Sequence, residues 1–195
     1  LGNIFRDLDK LQEAELSIRK AIDLKPDFAD AHSKLASILN NLGKLQAAEI
    51  SIRKAIELKP NLAVNHSDLG SILIDLGKLQ VAEVSIRKAI ELDPNYAEAY
   101  LNLGGILKDR GKLKEAEIST RKAIEIQPDF ADAYHNMGVI LVDFSKLKEA
   151  EIYIRKAIEI QPDFADAYFT LSFLQLLKGN YHSGLENYEF RFKKR

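Results

Sequence analysis

Residues 21–26 read AIDLKP, 55–60 AIELKP, 89–94 AIELDP, and 123–128 and 157–162 both read AIEIQP. These phrases close on the five prolines of the chain, Pro26, Pro60, Pro94, Pro128 and Pro162, which stand 34 residues apart every time. Proline lacks the backbone N–H and its ring clashes with the preceding turn, so each phrase reads as the end of a helix. A fixed period in the range of roughly 20–50 residues is the signature of a repeat array, in which one supersecondary unit recurs.

The unit from Asp129 to Pro162 shows what recurs. Asp129 follows a proline and precedes an apolar run, so it reads as a helix N-cap, with Asp132 three residues on in a capping-box arrangement. Met137, Ile140, Leu141 and Phe144 follow at helical spacing. Ser145 then stands in the turn column that holds Gly43, Gly77, Gly111 and Gly179 in other units. Glycine there suits a left-handed residue at a helix end, so Ser145 predicts a small local cost in stability. A second helix carries Leu147, Ala150, Ile154, Ala157, Ile158 and Ile160 before Pro162 stops it.

Small residues fill the columns where paired helices must approach. One column reads Gly2, Ala36, Gly70, Gly104, Gly138, Ser172; another Ala14, Ala48, Ala82, Ala116, Ala150, Gly184; a third Ala21, Ala55, Ala89, Ala123, Ala157. Large residues alternate with them, as close-packed layers require. The reading is all-α: antiparallel helix pairs, each burying its apolar stripe against its neighbours. Thr120 replaces the isoleucine of Ile52, Ile86 and Ile154, which predicts weaker packing there.

The period, the leucine–glycine pair, the glycine turn, the spaced alanines and the closing proline together resemble the tetratricopeptide repeat (TPR). That resemblance implies a right-handed superhelical solenoid of antiparallel helix pairs spanning 1–195. It divides into a truncated first repeat, 1–28, full repeats 29–62, 63–96, 97–130 and 131–164, and a last repeat, 165–195, with a capping helix. The opening Leu1-Gly2 matches Leu35-Ala36, the middle of a first helix, so part of a helix is expected upstream and the start is expected to fray. In the second helix of the last repeat, roughly Tyr181 to Lys194, Arg191 takes an alanine column and Lys194 a leucine column, which suits a cap whose basic end complements the helix dipole. The phrase GLENYEFR, 184–191, resembles the closing repeat of bacterial proteins in which such an array precedes a glycosyltransferase-like domain.

Composition narrows the chemistry. Across 195 residues the formal net charge is −1, so no global field favours nucleic acid or an anionic membrane. The basic end (Arg191, Lys193, Lys194, Arg195) reads as a solvated tail. With no cysteine, disulfides, thiolate zinc sites and cysteine nucleophiles are excluded. No apolar run approaches the ~20 residues needed to cross a bilayer, and a cytoplasmic location is the expectation. His32 and His66 share a column on adjacent units about 10 Å apart, too far to share a metal. His182 reads as exposed. Glu49, Glu83, Glu117 and Glu151 precede Arg53, Arg87, Arg121 and Arg155 by four residues, a solvated ladder of ion pairs. A catalytic site needs unlike residues converging once, and this repetition offers the same surface several times. No catalytic residue, cofactor site or metal site is expected.

In the TPR family the first helices line a groove that takes extended peptides or helices. That geometry puts Ser33, Ser37, Asn41, Ser67, Ser71 and Asp75 on the groove side of the early repeats. The later repeats contribute Leu101, Gly105 and Asp109, then His135, Val139 and Asp143, then Phe169, Phe173 and Leu177. Asn102 and Asn136 resemble the asparagines of O-linked N-acetylglucosamine transferase repeats, which implies hydrogen bonding to an extended backbone. Lys34, Asp68 and Thr170 hold that column elsewhere and break the ladder. The lysine–arginine–asparagine clamp of chaperone-binding members is missing. Phe169, Phe173, Leu174, Leu176 and Leu177 make the last first helix apolar nearly all round, as a covered helix would be. The function expected is a protein-interaction scaffold for an extended or helical segment with apolar and basic residues. The alternatives are a self-assembling structural module, joined through the array ends, or the substrate-recruiting arm of a larger enzyme.

Overall fold

The computed structural model describes the backbone of residues 2–190 and the side chains from residue 10 to residue 190. Every element among the described residues is helical. They are α1 (Gly2–Leu24), α2 (Ala29–Asn41), α3 (Leu45–Leu58), α4 (Ala63–Asp75), α5 (Leu79–Leu92), α6 (Ala97–Asp109), α7 (Leu113–Ile126), α8 (Ala131–Asp143), α9 (Leu147–Ile160), α10 (Ala165–Leu177) and α11 (Tyr181–Phe190). The chain falls into two compact units, Leu1–Asn95 with α1–α5 and Tyr96–Arg195 with α6–α11.

Within each unit the helices pair as the small columns require. A Cβ built on Gly70 of α4 would collide with the δ-methyl of Ile86 on α5, and one on Gly138 of α8 with that of Ile154 on α9. Ala48, Ala55, Ala82, Ala89, Ala116, Ala123, Ala150 and Ala157 are all completely buried. In the second unit Met137, Leu141, Ile154, Leu171 and Leu174 join Ala150, Ala157 and Ala167 in one cluster, with Tyr134, Tyr153 and Phe164 packed against it. Burying each such aliphatic side chain contributes roughly 1.5–3 kcal/mol.

The turns follow the glycine column. Gly43, Gly77, Gly111 and Gly179 adopt φ of 70–79°, and Ser145 adopts 60°. Each full turn closes by the same pair of hydrogen bonds: Gly43 N–H donates to Asn40 O at 2.8 Å and Lys44 N–H to Leu39 O at 2.8 Å. Ser145 and Lys146 repeat the pair to Val142 and Leu141. This is the Schellman arrangement, which satisfies orphan carbonyls at a helix end.

Three sequence expectations are corrected or bounded. Asp129 is not the N-cap of α8. That position belongs to Phe130, which makes no side-chain cap bond. Phe130 N–H donates to Gln127 O at 3.2 Å, so Asp129 lies inside a turn, one residue too early to cap. Asp132 sits in the first turn of α8, where its charge suits the helix dipole. At the start of the chain, half a first helix followed by a second was expected, whereas α1 runs unbroken from Gly2 to Leu24. Position 9 in the turn column is Asp rather than Gly, and the backbone there stays helical. In the last repeat α11 is described to Phe190, and the expectations for Leu1, Arg191, Lys193, Lys194 and Arg195, with the close packing expected at Gly2, lie outside the described residues.

The Thr120 position keeps full burial despite its smaller side chain. Asn136 Nδ2 donates to Thr120 Oγ1 at 3.3 Å, and a Cβ on Gly104 would strike that same hydroxyl. A polar contact thus replaces the isoleucine packing of the other repeats.

Candidate functional site

Of the groove-side positions, Ser33, Ser37 and Asn41 lie on α2 and Ser67, Ser71 and Asp75 on α4, in the first unit, and the later ones, with Asn102 and Asn136, lie in the second unit on α6, α8 and α10. Helical spacing places Leu101, Gly105 and Asp109 on one face of α6, His135, Val139 and Asp143 on one face of α8, and Phe169, Phe173 and Leu177 on one face of α10. Leu101, Val139 and His135 are half-buried, while Asp109 and Asp143 are exposed. Lys108 Nζ lies 3.1 Å from Asp109 Oδ1.

His135 is tied into the structure. Its Nε2 lies 3.0 Å from Thr170 Oγ1, and the Thr170 hydroxyl donates to Asp166 O at 3.0 Å. The hydroxyl proton is committed, so Nε2 carries the hydrogen toward Thr170. The ring also lies 5.1 Å from that of Phe164. Burial first of all, opposed by Asp166 and Asp132, holds its pKa below the ordinary imidazole value. Burial thus favours the neutral imidazole, and half-buried His135 joins α8 to α10.

Asn136 spends one amide N–H on Thr120, and Asn102 is half-buried and likewise engaged. Phe169, Phe173 and Leu177 are 45%, 50% and 55% exposed, whereas Leu174 on the opposite side of α10 is fully buried. The Phe169 ring leans toward Tyr188 of α11, with centroids 6.1 Å apart. The result is an open apolar stripe along α10, beside exposed carboxylates on α6 and α8.

The other histidines serve the fold. His32 Nε2–H donates to Pro26 O at 2.9 Å and His66 Nε2–H to Pro60 O at 2.8 Å, each fastening a first helix to the turn before it. His182, which is exposed, lies 3.3 Å from Glu186. The Glu–Arg ladder forms as its spacing predicts, at 2.7–2.9 Å for Glu49–Arg53, Glu83–Arg87, Glu117–Arg121 and Glu151–Arg155. Among the described residues no three His, Asp or Glu side chains gather as a metal site, and no helix is long and apolar enough to cross a membrane.

One exposed feature escaped the sequence reading. Leu16, Ile50, Val84, Ile118 and Ile152 share a column on the second helices and are 63–72% exposed. The signal was present as a 34-residue column of aliphatics, each directly after a ladder glutamate, where a solvated helix face would carry polar residues.

Family models described as tetratricopeptide repeat match residues 1–63, 97–130, 131–164 and 153–186, and one described as TPR repeat matches 70–111. Solved structures share the fold. A type IV pilus biogenesis factor, PilW, aligns with a TM-score of 0.83 at 24% identity over 92% of this chain and 83% of its own. YrrB, described as a TPR protein with an unusual peptide-binding site, aligns at 0.64 and 22% identity, over 89% and 90%. MamA aligns at 0.67 and 24%, over 82% and 94%. No curated protein matches the sequence.

Proposed function

Because the chain belongs to the tetratricopeptide-repeat family, we propose that it is a protein-interaction scaffold whose first-helix faces hold an extended or helical polypeptide. The observation that carries this reading is the Phe169–Phe173–Leu177 stripe, three large apolar side chains about half exposed on one helix face. Contiguous exposed apolar surface of this kind costs solubility and marks an interaction site. Aromatic side chains at such a centre supply most of the binding free energy. Asp109 and Asp143, on the same side of neighbouring first helices, favour a partner that combines apolar anchors with basic residues. The half-buried Leu101, Val139 and His135 extend the floor beside it. Asn102 and Asn136 are the groups suited to an amide of the partner backbone.

This role is non-catalytic: the side chains offered are apolar anchors, a neutral imidazole and separated carboxylates, none paired as acid and base. It calls for no cofactor, metal, nucleic acid or membrane, and a cytoplasmic setting fits it. Self-association through the α10 stripe is the competing occupancy, and the test separates the two.

Peptides selected on the chain from a random display library should be enriched in apolar and basic residues. Their affinity, measured by calorimetry, should fall at least about tenfold in Phe169→Ser/Phe173→Ser, the loss expected when central aromatic anchors are removed. Circular dichroism checks that the variant keeps its helicity. Affinity unchanged in a folded double variant would refute the reading. Light scattering that shows a dimer in the parent and a monomer in the variant would assign the stripe to self-association.

A further inference from the structure

The repeats are near-copies, so a space filled in one and empty in another shows what the empty one accepts. In the second unit the Tyr153 ring occupies such a space. It packs against the Met137 cluster with Ile124 and Tyr134, its centroid 6.1 Å from that of Tyr134. Arg121, whose guanidinium donates to Glu117 at 2.8 Å, stands near the Tyr153 phenol.

The homologous residues of the first unit, three periods earlier, are Arg19, Ile22, His32, Leu35 and Ser51. These residues, with Asp23, Ile50 and Lys54, line a cavity of about 390 Å³ between α1, α2 and α3. Serine stands where the later repeat has tyrosine, and its hydroxyl is committed to Ala47 O at 3.0 Å. Arg19 makes the same ion pair as Arg121, at 2.8 Å to Glu15 as Arg121 makes to Glu117. The apolar floor, the guanidinium and the flanking column are thus present and the ring is missing.

We propose that this cavity binds a tyrosine side chain of a partner polypeptide. The ring lies on Ile22, Leu35 and Ile50, and its hydroxyl accepts from Arg19. The commitment to tyrosine rests on the internal template, because the same scaffold positions already hold a half-buried tyrosine ring in the second unit. Asp23 and Lys54, which also line the cavity, offer an acceptor and a donor to amides flanking the ring, which favours a peptide over a free phenol. The volume falls within the roughly 300–1,000 Å³ of ordinary ligand pockets. This site is distinct from the α10 stripe and stands or falls independently of it.

The test is a methyl-labelled NMR titration of the whole chain with N-acetyl-tyrosinamide, N-acetyl-leucinamide and p-cresol. N-acetyl-tyrosinamide should shift the Ile22 and Ile50 δ-methyls and give nuclear Overhauser contacts from its ring to both. N-acetyl-leucinamide should bind roughly tenfold more weakly, because it lacks the ring and the hydroxyl. Ser51→Tyr should place its own ring in the cavity, abolish those shifts and melt no lower than the parent. Absence of ring contacts to Ile22 and Ile50 in the parent overturns the proposal, whatever the variant does. Equal affinity for the leucine probe reduces the cavity to an unselective cleft and overturns it as well. Tighter binding of p-cresol than of the amide assigns it to small phenols and overturns the polypeptide source.

Discussion

At the scale of single residues, two positions depart from their columns in ways that fix the sign of a substitution. Ser145 holds φ of 60° where its counterparts are glycine. A left-handed serine costs roughly 1–2 kcal/mol of backbone energy, partly offset by the greater freedom that glycine loses on folding. Ser145→Gly should therefore stabilise by about 0.5–1 kcal/mol in urea unfolding, and a lower midpoint would refute the strain argument. Asn65 stands in a column otherwise made of Ala31, Ala99, Ala133 and Ala167, all at most 2% exposed. Ser33 donates to its Oδ1 at 2.8 Å, but its buried Nδ2 finds no acceptor. A buried donor left unpaired costs about 1–3 kcal/mol, more than one modest hydrogen bond returns. Asn65→Ala should raise stability by about 1 kcal/mol. A loss of that size would mean the Ser33 bond outweighs the orphan nitrogen. Ser145 was legible in the sequence because φ is a property of one residue in a known column. The Asn65 mismatch was not, because an orphaned amide depends on what lies around it in three dimensions.

At the scale of helices, the i,i+4 ladder was read from spacing, yet half of its electrostatics was not. Glutamates of this column also hold a lysine from the next repeat: Glu15 with Lys44 and Glu49 with Lys78, at the N-caps of α3 and α5 and both at 2.7 Å, and Glu151 with Lys178 at the C-cap of α10. Those lysines lie some 27–29 residues away in sequence, so no local pattern announces them. The lysine hydrogen bond in each case, then the arginine beside it, holds the Glu15, Glu49 and Glu151 carboxyls below their ordinary value, with burial opposing. A carboxyl whose pKa is depressed by folding adds stability above its unfolded value and loses it as pH falls through the folded one. The melting temperature should thus hold steady near neutrality and fall as pH drops below about 4.5, the ordinary value for these groups. Lys78→Met should flatten that acid slope by removing the first-named partner of Glu49. An unchanged slope would show that the bridge carries nothing. The same reasoning explains the misread cap at Asp129. Composition marks the region of a helix start, but the hydrogen bond from Phe130 to Gln127 decides which residue caps, and single-residue precision is beyond a pattern.

At the scale of the molecule, repetition predicts where each unit yields first. In an array every helix draws its stability from its neighbours, so a helix covered on fewer sides opens earlier. In the first unit the alanine and isoleucine columns are fully buried on α3, at Ala48, Ile52 and Ala55, while their α1 counterparts Ala14, Ile18 and Ala21 are only half-buried. In the second unit α9 buries Ala150, Ile154 and Ala157, while α11 buries Gly184 alone. The sequence foresaw a fraying start, but the closing repeat's cap was read from Arg191 and Lys194, not from Leu185 and Glu186, which depart from the glutamate and aliphatic columns of the earlier second helices. It could not foresee which apolar side chains stay exposed, because Phe169 and Leu174 look alike in sequence and only the packing of α10 separates them. Amide hydrogen exchange should accordingly show α1 opening before α3 and α11 before α9, by at least about tenfold in rate, or about 1.4 kcal/mol of local stability. A peptide held on the Phe169–Phe173 face should slow exchange in α10 and α11 and leave α1 unchanged, because a ligand stabilises only the segments whose opening releases it. Exchange as slow in α11 as in α9 would mean that the closing hairpin gains its stability elsewhere than in these columns.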